Sequence, residues 1–152
     1  MSSSGLQFVP IYRDLFDKID FPLSKDLAIL DFGCGIGECV RRFGEAGYTA
    51  FGCDVEFPSN LEGPLKSYLD DGIVRRIDFS QDPRDQVAEF LARGRLIKTD
   101  EAAYHLPFED NTFDFIFSNQ VFEHVMDYPA ALADLSRVIK PTATNIHIFP
   151  GR

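Results

Sequence analysis

The sequence predicts an α/β fold: a doubly wound, mostly parallel sheet with helices on both faces. Two stretches carry that prediction, AILDFGCGIG at 28–37 and GCDVE at 52–56. In the first, Ala28, Ile29 and Leu30 run into Asp31 and then into glycine at every second position, Gly33, Gly35 and Gly37. An apolar run that stops at alternating glycines reads as a buried strand emptying into a tight loop. ECVRRFGEAG follows, with Val40 and Phe43 on one helical face and Gly47 as a C-terminal stop. Strand, glycine loop and helix make half of a βαβ nucleotide-binding unit, in which glycine lets the backbone approach a bound molecule.

The charges point to the kind of molecule. A dinucleotide fingerprint spaces its glycines G-x-G-x-x-G and sets a pyrophosphate on the helix N-terminus. Here the spacing is G-x-G-x-G, with Asp31 just before the loop and Glu38 just after it. Two carboxylates there repel a pyrophosphate and suit a ligand carrying positive charge, such as the ammonium and sulfonium of S-adenosylmethionine. Asp54 follows the next apolar strand, AFGC at 50–53, where an acid can accept hydrogen bonds from a ribose diol. The plainer alternative is a structural glycine turn flanked by solvated acids. A nucleotide-dependent dehydrogenase is disfavoured by the glycine spacing and by Asp31.

On these residues the chain resembles the class I S-adenosylmethionine-dependent methyltransferases. ILDFGCGIGE looks like their motif I and GCDVE like their acidic motif II. LPFEDNTFDFIFSNQVFEHVMDYPAALADLSRVIKP (106–141) is similar to the family block that runs from the third strand to the turn before the fifth. The resemblance implies a Rossmann-like sheet of order 3-2-1-4-5, with the last two family strands missing here. It also implies S-adenosylmethionine as cofactor, S-adenosylhomocysteine as product, and a cofactor site of Asp31, Gly33, Cys34, Gly35, Gly37, Asp54, Val55 and Asn119. An acid past the third strand would meet the adenine amino group, with Asp100 the first candidate and Glu101 the second. Methyl transfer to an unidentified, small-molecule acceptor is the implied function. The alternative is a catalytically silent binding module that keeps the cofactor pocket.

At 152 residues, one domain spanning 1–152 is the natural reading, long enough for one sizeable core. Hydrophobic content of 45% with 15 Phe supports a packed globule. A net charge of −9 argues against nonspecific attraction to nucleic acid or anionic membrane. Cys34, Cys39 and Cys53 are odd in number and lack C-x-x-C spacing, so reduced thiols in a cytoplasmic protein are expected. No leader pattern and no apolar run of about 18 residues occurs, which makes a soluble protein the expectation. His105 and His147 have no cysteine or carboxylate cluster at metal-ligand spacing, so no metal is expected.

In chain order, Ile11, Leu15, Phe16 and Ile19 predict a helix over 6–20, with Pro10 in its first turn. The cofactor-binding core is expected over 27–56 and 95–149, with an insertion over about 58–94. That insertion holds a turn-rich piece (FPSNLEGP), a helix (LKSYLDD), a short extended run (GIVRRID) and a second helix running from Asp82-Pro83 to Gly94. Leu96–Asp100 is expected as the third strand and Phe113–Phe117 as the fourth. Ser118, Asn119 and Gln120 then lie at the crevice where the strand order reverses. A helical pattern begins at Val121, Phe122, Val125 and Met126, and an apolar stripe from Pro129 to Ile139 marks a helix ended by Pro141. Asn145–Phe149 reads as the fifth strand. Its apolar edge is open, so either the chain is a fragment, the favoured reading, or a second copy pairs with it as a homodimer. No catalytic base is assigned; His124, Glu123, Tyr104 and Tyr12 are the candidates.

Overall fold

The computed structural model describes Lys18 and residues 24–77, 105–125 and 128–149. Five strands form one sheet in the order β3-β2-β1-β4-β5. They are β1 (Ala28–Phe32), β2 (Thr49–Asp54), β3 (Val74–Arg76), β4 (Phe113–Asn119) and β5 (Ile139–Ile148), and every pairing is parallel. The helices are α1 (Glu38–Glu45), α2 (Pro64–Asp70) and α3 (Tyr128–Val138), with a single 3-10 turn at Phe122–His124. The order 3-2-1-4-5 is the one expected. Among the described residues no helix is long and apolar enough to cross a membrane.

The sheet is buried on both faces, which is why its central strands read as apolar runs. Along β1 and β4 successive side chains part to opposite faces. Ile29, Phe115 and Phe117 meet Phe43 of α1, whereas Leu30 and Ile116 join Leu135 and Val138 of α3. Helix α1 stops where Gly47 was expected to stop it: Gly47 N–H donates to Gly44 O at 2.9 Å and Tyr48 N–H to Phe43 O at 2.9 Å. Those bonds satisfy two orphan carbonyls, and the Tyr48 ring lies edge-on to Phe43 at 5.7 Å.

Polar side chains fix the strand ends. Asp114 accepts Ala28 N–H at 2.9 Å and Lys140 Nζ at 2.7 Å, joining the starts of β1, β4 and β5. Arg137 near the end of α3 donates to Phe108 O at 2.8 Å, Leu106 O at 2.9 Å and Asp134 Oδ1 at 2.7 Å. Asp134 is buried and also accepts Leu106 N–H. One planar fork therefore holds the 106–110 loop against α3, a geometry that lysine cannot reproduce. Arg137→Lys is expected to cost about 2 kcal/mol in urea unfolding, since two or three hydrogen bonds go and polar groups are left short of partners.

Three expectations are corrected. The place beside β2 is taken by Val74–Arg76, inside the stretch expected as an insertion; Leu96–Asp100 lies outside the described residues. The helical pattern expected from Val121 is one 3-10 turn, with Val125 already extended at φ −79° and ψ 121°. Strand β5 begins at Ile139, and Pro141 sits within it rather than beyond a helix end. The physical reason is visible in the register. Phe113 pairs with Ile139 and Phe115 with Thr144, so residues 140–143 bulge out of the ladder. A proline without an N–H fits a bulge on an edge strand. The helix expected over 6–20 and the one following Asp82-Pro83 also lie outside the described residues.

Candidate functional site

The glycine loop hangs from the end of β2. Gly33 N–H and Cys34 N–H both donate to Cys53 O, at 2.8 and 3.0 Å, and Gly37 N–H turns back to Cys34 O at 2.8 Å. Gly33 has φ +79°, and a Cβ added there would lie 2.3 Å from Val121 Cγ2. Only a residue without a side chain fits between that left-handed backbone and Val121. Gly35 has φ +53° with open space around it. Cys34 packs under the loop against Gly52, where a Cβ would come within 2.8 Å of its sulfur.

Asp54 at the tip of β2 closes the loop. Its Oδ2 accepts Gly35 N–H at 2.7 Å and its Oδ1 accepts Val55 N–H at 2.7 Å. Each carboxylate oxygen keeps a further lone pair for an incoming donor. Gly33, Asp54 and Val55 line a cavity of about 380 Å³ with Glu56 and Gln120. Its apolar walls are Phe32, Ile77, Val121 and Val125. The cavity opens at the carboxyl ends of β1, β2 and β4, where the strand order reverses, the general ligand position in such sheets.

Asp31, in β1 two residues before Gly33, is only 6% exposed. Burial, and then repulsion from Asp54, push its carboxyl up to about 8, so it holds its proton at neutral pH. A cationic group brought close would offset that burial and draw the proton off. The thiols of Cys34 and Cys53 are pushed well up by burial, and that of Cys39 to about 12. All three are free, and burial favours the thiol over the thiolate.

The expected site residues divide as follows. Gly33, Asp54 and Val55 line the cavity, Gly35 reaches it through Asp54, and Asp31 and Cys34 are buried and do not line it. Gly37 opens instead on a neighbouring cavity of about 380 Å³ beside Ile36 and Arg41. Asn119 ends β4 opposite Ile148, and it is Gln120 that lines the cavity. Gln120 has φ +55°, uncommon for a residue with a side chain, and its N–H donates to Ile148 O at 2.7 Å. Asp100 and Glu101 lie outside the described residues, as do Tyr12 and Tyr104. Of the candidate bases, His124 lines the cavity and stands 4.0 Å from Glu123.

Glu38 has partners on its own helix. It bonds Arg41 at 2.7 and 3.0 Å and Arg42 at 2.8 Å on its own helix, which hold its carboxyl below the usual range. The i, i+3 and i, i+4 spacing of these partners was legible in the sequence. Ile77 and Val121 were missed as site residues. Ile77 N–H donates to Asp54 O at 2.8 Å, a contact across 23 positions that no local pattern announces.

The fit to an S-adenosyl ligand rests on this geometry: a side-chain-free Gly33, an acid on the second strand tip, and apolar walls for a base. Residues 60–146, more than half of the chain, match the family model described as a methyltransferase domain. Over 128 residues the chain is 33% identical to an uncharacterized methyltransferase of Schizosaccharomyces pombe, covering 78% of this chain and 38% of that protein. It is 38% identical over 123 residues to demethylmenaquinone methyltransferase of Staphylococcus aureus, covering 80% and 42% respectively. The chain thus spans about two fifths of the length of these curated relatives. Haemonchus contortus phosphoethanolamine N-methyltransferase 2, solved with S-adenosyl-L-methionine, superposes with a TM-score of 0.55 at 22% identity. That likeness covers 89% of this chain and 27% of the other, and is one of fold. The chain belongs to the methyltransferase-domain family, and its sheet is that of the class I S-adenosylmethionine-dependent enzymes.

Proposed function

We propose that this protein transfers a methyl group from S-adenosylmethionine to a small-molecule acceptor, releasing S-adenosylhomocysteine. The single observation that carries the reading is the meeting of Gly33 and the Asp54 carboxylate at one cavity on the reversal point of the sheet. The sulfonium of S-adenosylmethionine supplies an already activated methyl group. The chain's own residues then have the tasks of holding, orienting and drying. Asp54 accepts the ribose hydroxyls on the lone pairs left by Gly35 and Val55 N–H. Phe32, Ile77, Val121 and Val125 exclude water from the base. Asp31 gives up its proton when an ammonium or sulfonium approaches, so binding is accompanied by proton release. Alignment of this kind can supply several kcal/mol of the barrier.

The same reading takes residues 1–152 as a single domain in the cytoplasm, with Asp100 or Glu101 reaching the adenine amino group. Pairing of a second copy along the open edge of β5 is the less favoured reading of that strand. Strand β5 is the last in the sheet among the described residues, and ten residues long. Light scattering that gives a monomer at every concentration would remove the paired edge.

Calorimetric titration with S-adenosylmethionine, S-adenosylhomocysteine and NAD tests the cofactor. Binding of the first two and not the third is expected. Asp54→Ala should weaken S-adenosylhomocysteine at least tenfold, about 1.4 kcal/mol for one charged hydrogen-bonding partner. Unchanged affinity would take Asp54 out of the site.

A further inference from the structure

The cavity that Asp54 lines runs across the strand tips. Asp54 and Glu56 stand at the end of β2, Gly33 just past β1 and Gln120 just past β4. The sheet order β2-β1-β4 sets the backbones of Asp54 and Gln120 two strand spacings apart, about 10 Å. A ligand that rests its ribose on Asp54 and passes over Gly33 therefore brings its far end to Gln120.

Gln120 holds a backbone conformation that a side chain disfavours. Its φ is +55°, and the other non-glycine residue with positive φ among the described residues is Asn111, a type that visits this region readily. Two contacts fix the turn. Gln120 N–H donates to Ile148 O at 2.7 Å, beside the last pair of the β4–β5 ladder, Asn119 with Ile148. Val121, the next residue, fills the space where a Gly33 Cβ would stand. Neither contact uses the Gln120 carboxamide, and a glycine would adopt the same backbone at no steric cost. Strain that the surroundings hold in place in this way gathers at active sites and ligand clamps.

The chemistry of the ligand's far end gives the carboxamide a task. S-adenosylmethionine ends in an amino acid, with an ammonium and a carboxylate. Asp54 and Glu56 attract the first and repel the second. Among the described residues that line the cavity, the side chains able to donate a hydrogen bond are those of Gln120 and His124. The His124 side chain is 81% exposed and stands beside Glu123. A carboxamide donates whatever the pH. We propose that Gln120 Nε2 donates to the carboxylate of S-adenosylmethionine, so that the site selects the intact amino acid. This role rests on the methyl-transfer reading above, and it makes Gln120 a specificity-determining residue for the cofactor.

Calorimetry on the full chain with S-adenosylmethionine and decarboxylated S-adenosylmethionine, which differ by the carboxylate alone, tests it. The parent protein is expected to bind the first at least tenfold more tightly. Gln120→Gly should weaken S-adenosylmethionine about tenfold, the size of one hydrogen bond to a charged group, and leave the decarboxylated compound unchanged. The same variant should hold or raise the melting temperature, because glycine takes up the left-handed backbone more readily. Gln120→Glu sets one carboxylate against another and should invert the preference, whereas Asp54→Ala should weaken both compounds alike. Equal affinity of the parent for the two compounds, or equal losses of both in Gln120→Gly, overturns the role and leaves the methyl-transfer reading standing. So does a Gln120→Glu protein that still prefers S-adenosylmethionine. A melting temperature lowered by Gln120→Gly would place the side chain in the fold rather than on the ligand, and overturns it too. Failure of the parent to bind either compound removes the methyl-transfer reading and this inference with it.

Discussion

Asp31→Asn is expected to abolish a steep fall in stability between about pH 4 and about pH 8. The folded protein holds the Asp31 proton up to about 8, because burial and then Asp54 disfavour the carboxylate. The unfolded chain releases it near 3.8. Between those values the folded state binds one proton more than the unfolded state, so stability declines as pH rises, by about 1.4 kcal/mol per pH unit. The contribution is fully present below the unfolded value and is lost as pH passes through the folded one. Asparagine has no proton to lose. Urea unfolding of both proteins at a series of pH values should give coincident stabilities near pH 4 and a variant several kcal/mol more stable near pH 8. Parallel curves across the range would sink the assignment. In the parent protein, S-adenosylmethionine affinity should rise with pH over the upper part of the window, and the variant should lose that dependence.

The portion of this fold that the sequence made legible is the portion held by short-range pattern. Strand β1, the glycine loop, α1 and β2 follow one another within 27 positions, from Ala28 to Asp54. Their apolar runs, glycines and terminal acids each have one local meaning. Strand β4 was legible for the same reason, since Phe113, Phe115, Ile116 and Phe117 are wholly buried in a sheet covered on both sides. What was hidden depends on partners far off in the chain. Val74–Arg76 and Leu96–Asp100 are both short extended candidates, and only the pairing of Gly52 with Val74 tells which lies beside β2. Pro141 carries two meanings, helix stop or edge bulge, and the Phe113–Ile139 pairing selects the second. The site divides along the same line. Gly33 and Asp54 announce themselves by spacing, whereas Val121 approaches Gly33 across 88 positions. Gln120 reaches Ile148 only because β4 and β5 lie in register.

That contact between Val121 and Gly33 sets the second large effect. An alanine at position 33 would have to hold φ near +79° and place its Cβ 2.3 Å from Val121 Cγ2 and 2.8 Å from Cγ1. The left-handed backbone costs an alanine about 1 kcal/mol, and forcing a methyl into occupied space adds about 2 more. Gly33→Ala is therefore expected to lose about 3 kcal/mol, a fall of roughly 10 °C in melting temperature for a chain of this size. Gly35→Ala is the matched control. It has φ +53° but open space around it, so it should lose only the backbone part, about 1 kcal/mol. The steric part can be isolated by trimming the other partner. Val121→Ala combined with Gly33→Ala should be less destabilised than the sum of the two single changes, by about 1–2 kcal/mol of coupling. Equal losses at positions 33 and 35, or strict additivity with Val121→Ala, would show that the turn is not pressed against Val121. The loop would then be free to sit elsewhere than over the cavity that Asp54 closes.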